Sequence, residues 1–302
     1  MSTLANIVEE VLLNLEGFGA LQDTIALASA GSLDNATGYT NITLTSPQLT
    51  DTTGITPTML EVQDELMYVA TTSFSAPNLV CSVRRAYRGT EQATFASPEY
   101  ARVNPRFPRV AVKRAINNTI LGLYPRLSAV KTSEITYLAN QYRYDLPADA
   151  RNVLAVSVRS AGHPTQWHPS RYWTFDATGG SGSVTGKSID VRDGNPGRPF
   201  RVVYTAEPTT LASNVSTFAS TGLPDWAREI VVYGACWRLA SFMEAVAPMG
   251  ATAEQAMMNE GQRDSVGRQN VARYFLGMFE SRLAEGEARM QDTYPAPRHY
   301  IR

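Results

Sequence analysis

The period at which hydrophobic residues recur limits what this chain can fold into more than any motif does. It is helical at both ends and once in the middle, and close to two in the long stretches between. Leu4, Ile7, Val8, Val11, Leu12 and Leu15 follow helical spacing behind Ser2 and Thr3, which suit a helix cap, and Gly17 and Gly19 end the pattern. Val112, Ile116, Ile120, Leu123 and Leu127 form a second stripe after Pro105 and Pro108, with Pro125 weakening its last turn. Trp226 to Val246 is apolar nearly all round, which predicts a helix buried on several sides. Over Asp264 to Met290 the spacing predicts a last helix with Val271, Tyr274, Phe275, Met278, Phe279 and Leu283 on one face.

Between these helices the pattern changes. From Thr24 to about Val103, short β-branched runs are separated by Gly, Asn, Asp, Ser and Pro, and from Glu134 to Tyr204 alternation is clearest at Leu154, Val156 and Val158 and at Phe200, Val202 and Tyr204. The expected fold is therefore α+β: a helical bundle of about four helices drawn from both ends of the chain (1–20, 105–130 and 223–291). Two β segments (21–104 and 131–222) are inserted into it, and an extended C-terminal tail (292–302) follows.

Charge narrows the function. With 27 Lys plus Arg against 28 Asp plus Glu, the net charge of -1 argues against a protein that coats nucleic acid. The charge is nevertheless unevenly spread. Arg84, Arg85, Arg88, Arg102, Arg106, Arg109, Lys113 and Arg114 face only Glu91 and Glu99 in their stretch, whereas Glu244 to Glu287 has an acidic excess that includes Glu280 and Glu285. Opposite-sign patches on a nearly neutral chain suit head-to-tail pairing of copies, or else two solvated surfaces that never meet. Cys81 and Cys236 lie in apolar runs and read as buried, reduced thiols. The start of the chain lacks a signal-peptide pattern, and the longest apolar run, Ile230 to Trp237, falls far short of the ~20 residues of a membrane helix, so synthesis in the cytoplasm and no membrane partner are expected.

The enzymatic lures fail on spacing. Gly186-Lys187-Ser188 ends like a phosphate-binding loop, but position 181 is Ser where glycine is needed, and Ile189 to Arg192 reads as a strand. His163 and His168 have no neighbouring Cys or carboxylate to complete a metal site. The adjacent carboxylates Asp64 and Glu65, or Glu9 and Glu10, point apart and read as solvated charges. The expectation is no catalytic residues, no metal and no cofactor. Trp167, His168, Tyr172 and Trp173 read as an aromatic cluster at a contact or in the core.

The order of short motifs is more telling. Glu61, Asp64, Glu65 and Tyr68 lead into Leu79 to Thr90, with Arg88-Gly89-Thr90 as a turn and Arg102-Val103 closing the module. Leu123 to Leu127, Tyr144 to Pro147, Trp173, Gly186-Lys187, Phe200 to Tyr204 and Leu223 to Trp226 follow. In this order the chain resembles the head-to-tail adaptor (connector) proteins of tailed bacteriophages. One departure is visible, because relatives often place His and then Gly after Gly-Thr, where this chain has Phe95 and Pro98-Glu99.

The resemblance implies a non-enzymatic virion protein in the neck at the portal vertex. Copies would form a ring, twelvefold by analogy, joined to the portal protein and to a tail or neck protein, while genomic DNA passes without specific binding. It also implies that the C-terminal extension docks on the portal, which assigns portal binding to Tyr294, Pro295, Pro297, Arg298, His299, Tyr300, Ile301 and Arg302. Tyr and Arg anchor interfaces, and proline lowers the entropy lost on docking. Arg84, Arg85, Arg88, Arg109, Glu280 and Glu285 are the expected subunit contacts. Other readings are a different neck or tail-tip component, or a carbohydrate-binding virion protein using Trp167 and Trp173.

Overall fold

The computed structural model describes residues 2–16, 24–27, 39–45, 58–75, 78–92, 100–160, 162, 165–179, 183–246 and 261–294, with side chains undescribed at 24–27, 45, 75, 242–246 and 261–270. The chain divides into two compact units, Met1–Ile7 with Asn117–Gly234 and Arg273–Arg302, and Val8–Ile116 with Ala235–Ala272. Four α-helices are present among the described residues: α1 (Leu4–Glu16), α2 (Arg109–Gly122), α3 (Ala227–Val246) and α4 (Gly261–Thr293). Each contributes residues to both units.

The unit containing Val8–Ile116 is organised by a closed antiparallel barrel. Its strands are β1 (Thr24–Leu27), β2 (Thr40–Thr45), β3 (Met59–Val62), β4 (Glu65–Ser75), β5 (Asn78–Arg84) and β6 (Tyr100–Val103), in the order β1-β2-β5-β4-β3-β6, with β1 paired to β6. Alternation sets the inner face: Leu60, Val62, Met67, Val69, Leu79, Cys81, Val83, Ala101 and Val103 fill the barrel with Ile42 and Leu44.

The unit containing Asn117–Gly234 holds two further antiparallel sheets. One has the order β10-β9-β13-β7, from β7 (Ala129–Thr136), β9 (Asn152–Arg159), β10 (Trp167–Pro169) and β13 (Pro199–Ala206). The other has the order β11-β12-β8, from β8 (Arg143–Asp145), β11 (Trp173–Asp176) and β12 (Ser188–Val191). Both sheets supply one core, in which the Tyr144 ring meets Phe200 edge-on at 4.9 Å and its hydroxyl donates to Gln141 O at 2.7 Å.

The expectation of a helical bundle with two inserted β segments is corrected by this arrangement: the fold is dominated by three antiparallel sheets, with four helices. An amphipathic stripe records that a helix buries one face, but not whether the covering element is another helix or a sheet. Here both β stretches enclose cores of their own, so they organise the molecule.

The helices themselves form where the periodicity places them. Thr3 caps α1 through its hydroxyl, which accepts from Asn6 N–H at 3.4 Å. Ile230, Val231, Val232, Ala235, Cys236 and Leu239 are all buried on α3, as an all-round apolar helix requires. In α4 the buried side carries Ala272, Phe275 and Leu283, while Val271 and Tyr274, expected on that side, are exposed. Glycine permits close helix approach: a Cβ on Gly234 would collide with Thr119 Cγ2, and one on Gly286 would lie 2.6 Å from the Trp226 ring.

Candidate assembly surface

The acid-rich module that opens the resemblance holds two buried ion pairs, Glu65 with Arg85 on the side of β4 that carries Met67 and Val69, and Glu61 with Arg102 on the opposite side of the barrel wall. Glu65, read from sequence as solvated, is instead fully buried at the start of β4. Arg85 grips it with both guanidinium edges, Nε donating to Oε1 at 2.7 Å and Nη2 to Oε2, and Ala86 N–H donates to Oε1 at 3.1 Å. Its neighbour Asp64 is partly exposed and pairs with Lys113. The cause is simple: Asp64 lies in the two-residue turn that joins β3 to β4, whereas Glu65 opens β4 opposite Val62, on the covered side.

Glu61 faces Arg102 across the β3–β6 register and accepts from its Nη1 at 2.8 Å. It also accepts from Arg109 N–H, an unpaired donor of the first turn of α2, so a strand carboxylate caps a helix 48 residues away. Arg102 reaches on to Glu16 at the end of α1 at 3.1 Å and to Phe107 O at 3.2 Å. Burial pushes the Glu61 carboxyl above its ordinary value, against the pull of Arg102 and the Arg109 N–H.

The Arg88-Gly89-Thr90 turn is built from left-handed backbone: φ is +51° at Ala86, +55° at Arg88 and +75° at Gly89. The cost of two non-glycine residues there is offset by Thr90, whose hydroxyl accepts from Leu66 N–H at 3.2 Å and lies 3.1 Å from Tyr87 O, tying the turn to β4. The turn holds Arg88 exposed beside Tyr87, with its guanidinium carbon 5.6 Å from the ring centre. Arg84 is exposed opposite Tyr68 in the β4–β5 register.

The expected contact residues therefore fall into two groups. Arg84 and Arg88 are exposed on the barrel, and Glu280 and Glu285 are exposed on α4, the latter paired with Arg282 at 3.0 Å. Arg85 and Arg109 instead hold pairs within the chain, with Glu65 and Glu9. Of the residues expected to bind the portal, Tyr294 follows α4, its N–H donating to Met290 O at 2.9 Å. Pro295, Pro297, Arg298, His299, Tyr300, Ile301 and Arg302 lie outside the described residues, as does His163.

Local structure accounts for the remaining lures. Ser188 opens strand β12, and Lys187 Nζ donates to Ala177 O at 2.6 Å, closing its own loop. Trp173 packs against the core, and one face of Trp167 is occupied by Arg201, 4.2 Å from the ring centre. His168 is exposed on β10. Cys81 and Cys236 are buried free thiols, pushed by burial to about 11 and about 12. Among the described residues, no group of three or more His, Cys, Asp and Glu is placed to hold a metal, and no helix is long and apolar enough to cross a membrane.

Comparison with known families gives the class, an adaptor-type structural protein of a phage. The chain belongs to the SU10 adaptor protein family, whose sequence profile matches residues 79–297, from β5 past the end of α4. None of the curated proteins compared with the chain matches it.

Proposed function

We propose that this chain forms the adaptor ring joining the portal vertex of the capsid to the tail or the next neck component, and that it acts by assembly, without catalysis. Family membership over residues 79–297 carries the reading. The disposition of charge supports it, since the basic residues of the module either brace the barrel or face outward as Arg84 and Arg88.

In this reading copies associate head-to-tail around a ring, twelvefold by analogy, and the tail from Tyr294 to Arg302 docks on the portal protein. Genomic DNA passes through the channel without specific binding, in keeping with a net charge of -1. The protein then resides in the virion neck after synthesis in the host cytoplasm. Negative-stain electron microscopy of the purified protein, with and without its virus's portal protein, tests this. Rings stacked coaxially on the portal are expected; bare portal particles in the mixture would overturn it.

A further inference from the structure

A long helix whose outer side is solvated normally carries charged residues there. On α4 the exposed charges Arg273, Glu280, Glu285 and Arg289 leave a strip between them that carries none. Tyr274, Gly277, Ser281, Ala284 and Ala288 are all exposed and follow one another at helical spacing, opposite the buried Phe275, Leu283 and Gly286. Tyr274 is 59% exposed, a large ring mostly bare to solvent.

Gly277 is a second anomaly. Gly234 and Gly286 are required by close approach within the chain, because a Cβ at either would collide. A Cβ on Gly277 would meet no atom within 4 Å among the described residues, so their packing gives no reason for a residue that weakens a helix interior. A flattened strip beside an exposed aromatic ring is the shape of a socket, and Glu280 and Glu285 stand on its two sides.

We infer that this face of α4 receives the barrel of a neighbouring copy, at the outward surface formed by Tyr68, Arg84 and Arg88. The inference rests on the ring reading and names the surfaces that would close it. The charges offer a partner: neither Arg84 nor Arg88 has a carboxylate partner among the described residues, and beside the strip stands the exposed Glu280, with Glu285 shared with Arg282 and Arg273 the cation on the same helix. The residue types match as well, since Tyr68 is 42% exposed beside Arg84 on the neighbouring strand, and Tyr and Arg are the usual anchors of an interface. Because socket and knob are different surfaces, the contact is heterologous and propagates from copy to copy.

Charge reversal provides the test. One variant carries Arg84→Glu with Arg88→Glu, the other Glu280→Arg with Glu285→Arg, and each is followed by sedimentation velocity and electron microscopy, alone and with the portal protein. Each variant on its own should lose at least tenfold in association, because like charges face each other at every contact. An equimolar mixture should recover assembly, because copies that alternate pair opposite charges at every contact. Gly277→Leu should keep its thermal stability and yet block assembly. Wild-type assembly with unimpaired variants would overturn the socket and leave the ring standing. A wild-type chain that assembles neither alone nor on the portal would overturn both.

Discussion

At the residue scale the molecule turns on carboxylates that one would expect at its surface. Removing one partner of a buried pair leaves the other charge without compensation, which costs about 3–5 kcal/mol. Glu65→Ala should therefore lower the unfolding free energy by about that amount in denaturant titrations, and replacing Glu65 and Arg85 together by apolar residues should cost markedly less. Glu61 makes a pH prediction. Its folded value lies above the ordinary 4.5, so the folded chain holds the proton more tightly than the unfolded one. The stability it contributes is complete below 4.5 and is lost as pH rises through the folded value. The stability of the native chain relative to Glu61→Gln should thus fall as pH rises above that point, and a rise would contradict the burial argument. Cys81 and Cys236, with their thiols raised to about 11 and 12, should resist thiol reagents near neutrality until the chain is unfolded. The sequence made the two inert thiols legible through their apolar neighbours. It hid Glu65, because a carboxylate beside another carboxylate carries no mark of burial. The one available signal was the arginine at position 85, too far along the chain to be paired without knowing that β4 and β5 are neighbours.

Among the elements, the four helices were legible in position. α2 and α3 begin and end near the stripes that announce them, since only a helix sustains a 3.6-residue period over several turns. The sheets were legible as strands but not as partners. Alternation shows which face of β9 or β13 is inward, yet says nothing of β9 lying against β13 or β1 closing on β6. Tyr274 was misplaced for a related reason: a stripe wide enough to hold six apolar residues contains both a packed side and an open one. Close packing at this scale is testable through glycine. Gly234→Val should destabilise the fold by about 1–3 kcal/mol in thermal or chemical unfolding, because Thr119 and Phe279 occupy the space a side chain would need. Gly194→Ala, set directly against the Tyr137 ring, should behave in the same way.

For the whole molecule, membership of a phage adaptor family was legible as an order of weak motifs and fold class was not. The motifs mark turns and ion pairs that short stretches of sequence can spell, whereas the balance between helices and sheets depends on which surfaces cover which. Deleting Asp292 to Arg302 removes the last helical residues and the tail but none of the buried residues of α4, so the truncated protein should fold with near-native circular dichroism and fail to join the portal. Attachment without the tail would assign docking elsewhere.

The barrel sets a condition on how such a protein can be divided. The stretch shared with its family begins at residue 79, and of the six barrel strands only β5, less its first residue, and β6 lie within it, on non-adjacent staves. A hoop of hydrogen bonds has no stable half: a piece cut at that boundary would keep two strands with every edge bare and would recruit other chains to cover them. Shared ancestry and autonomous folding therefore part company here. A chain of this architecture that dispenses with the earlier strands has to find another way to close the circle.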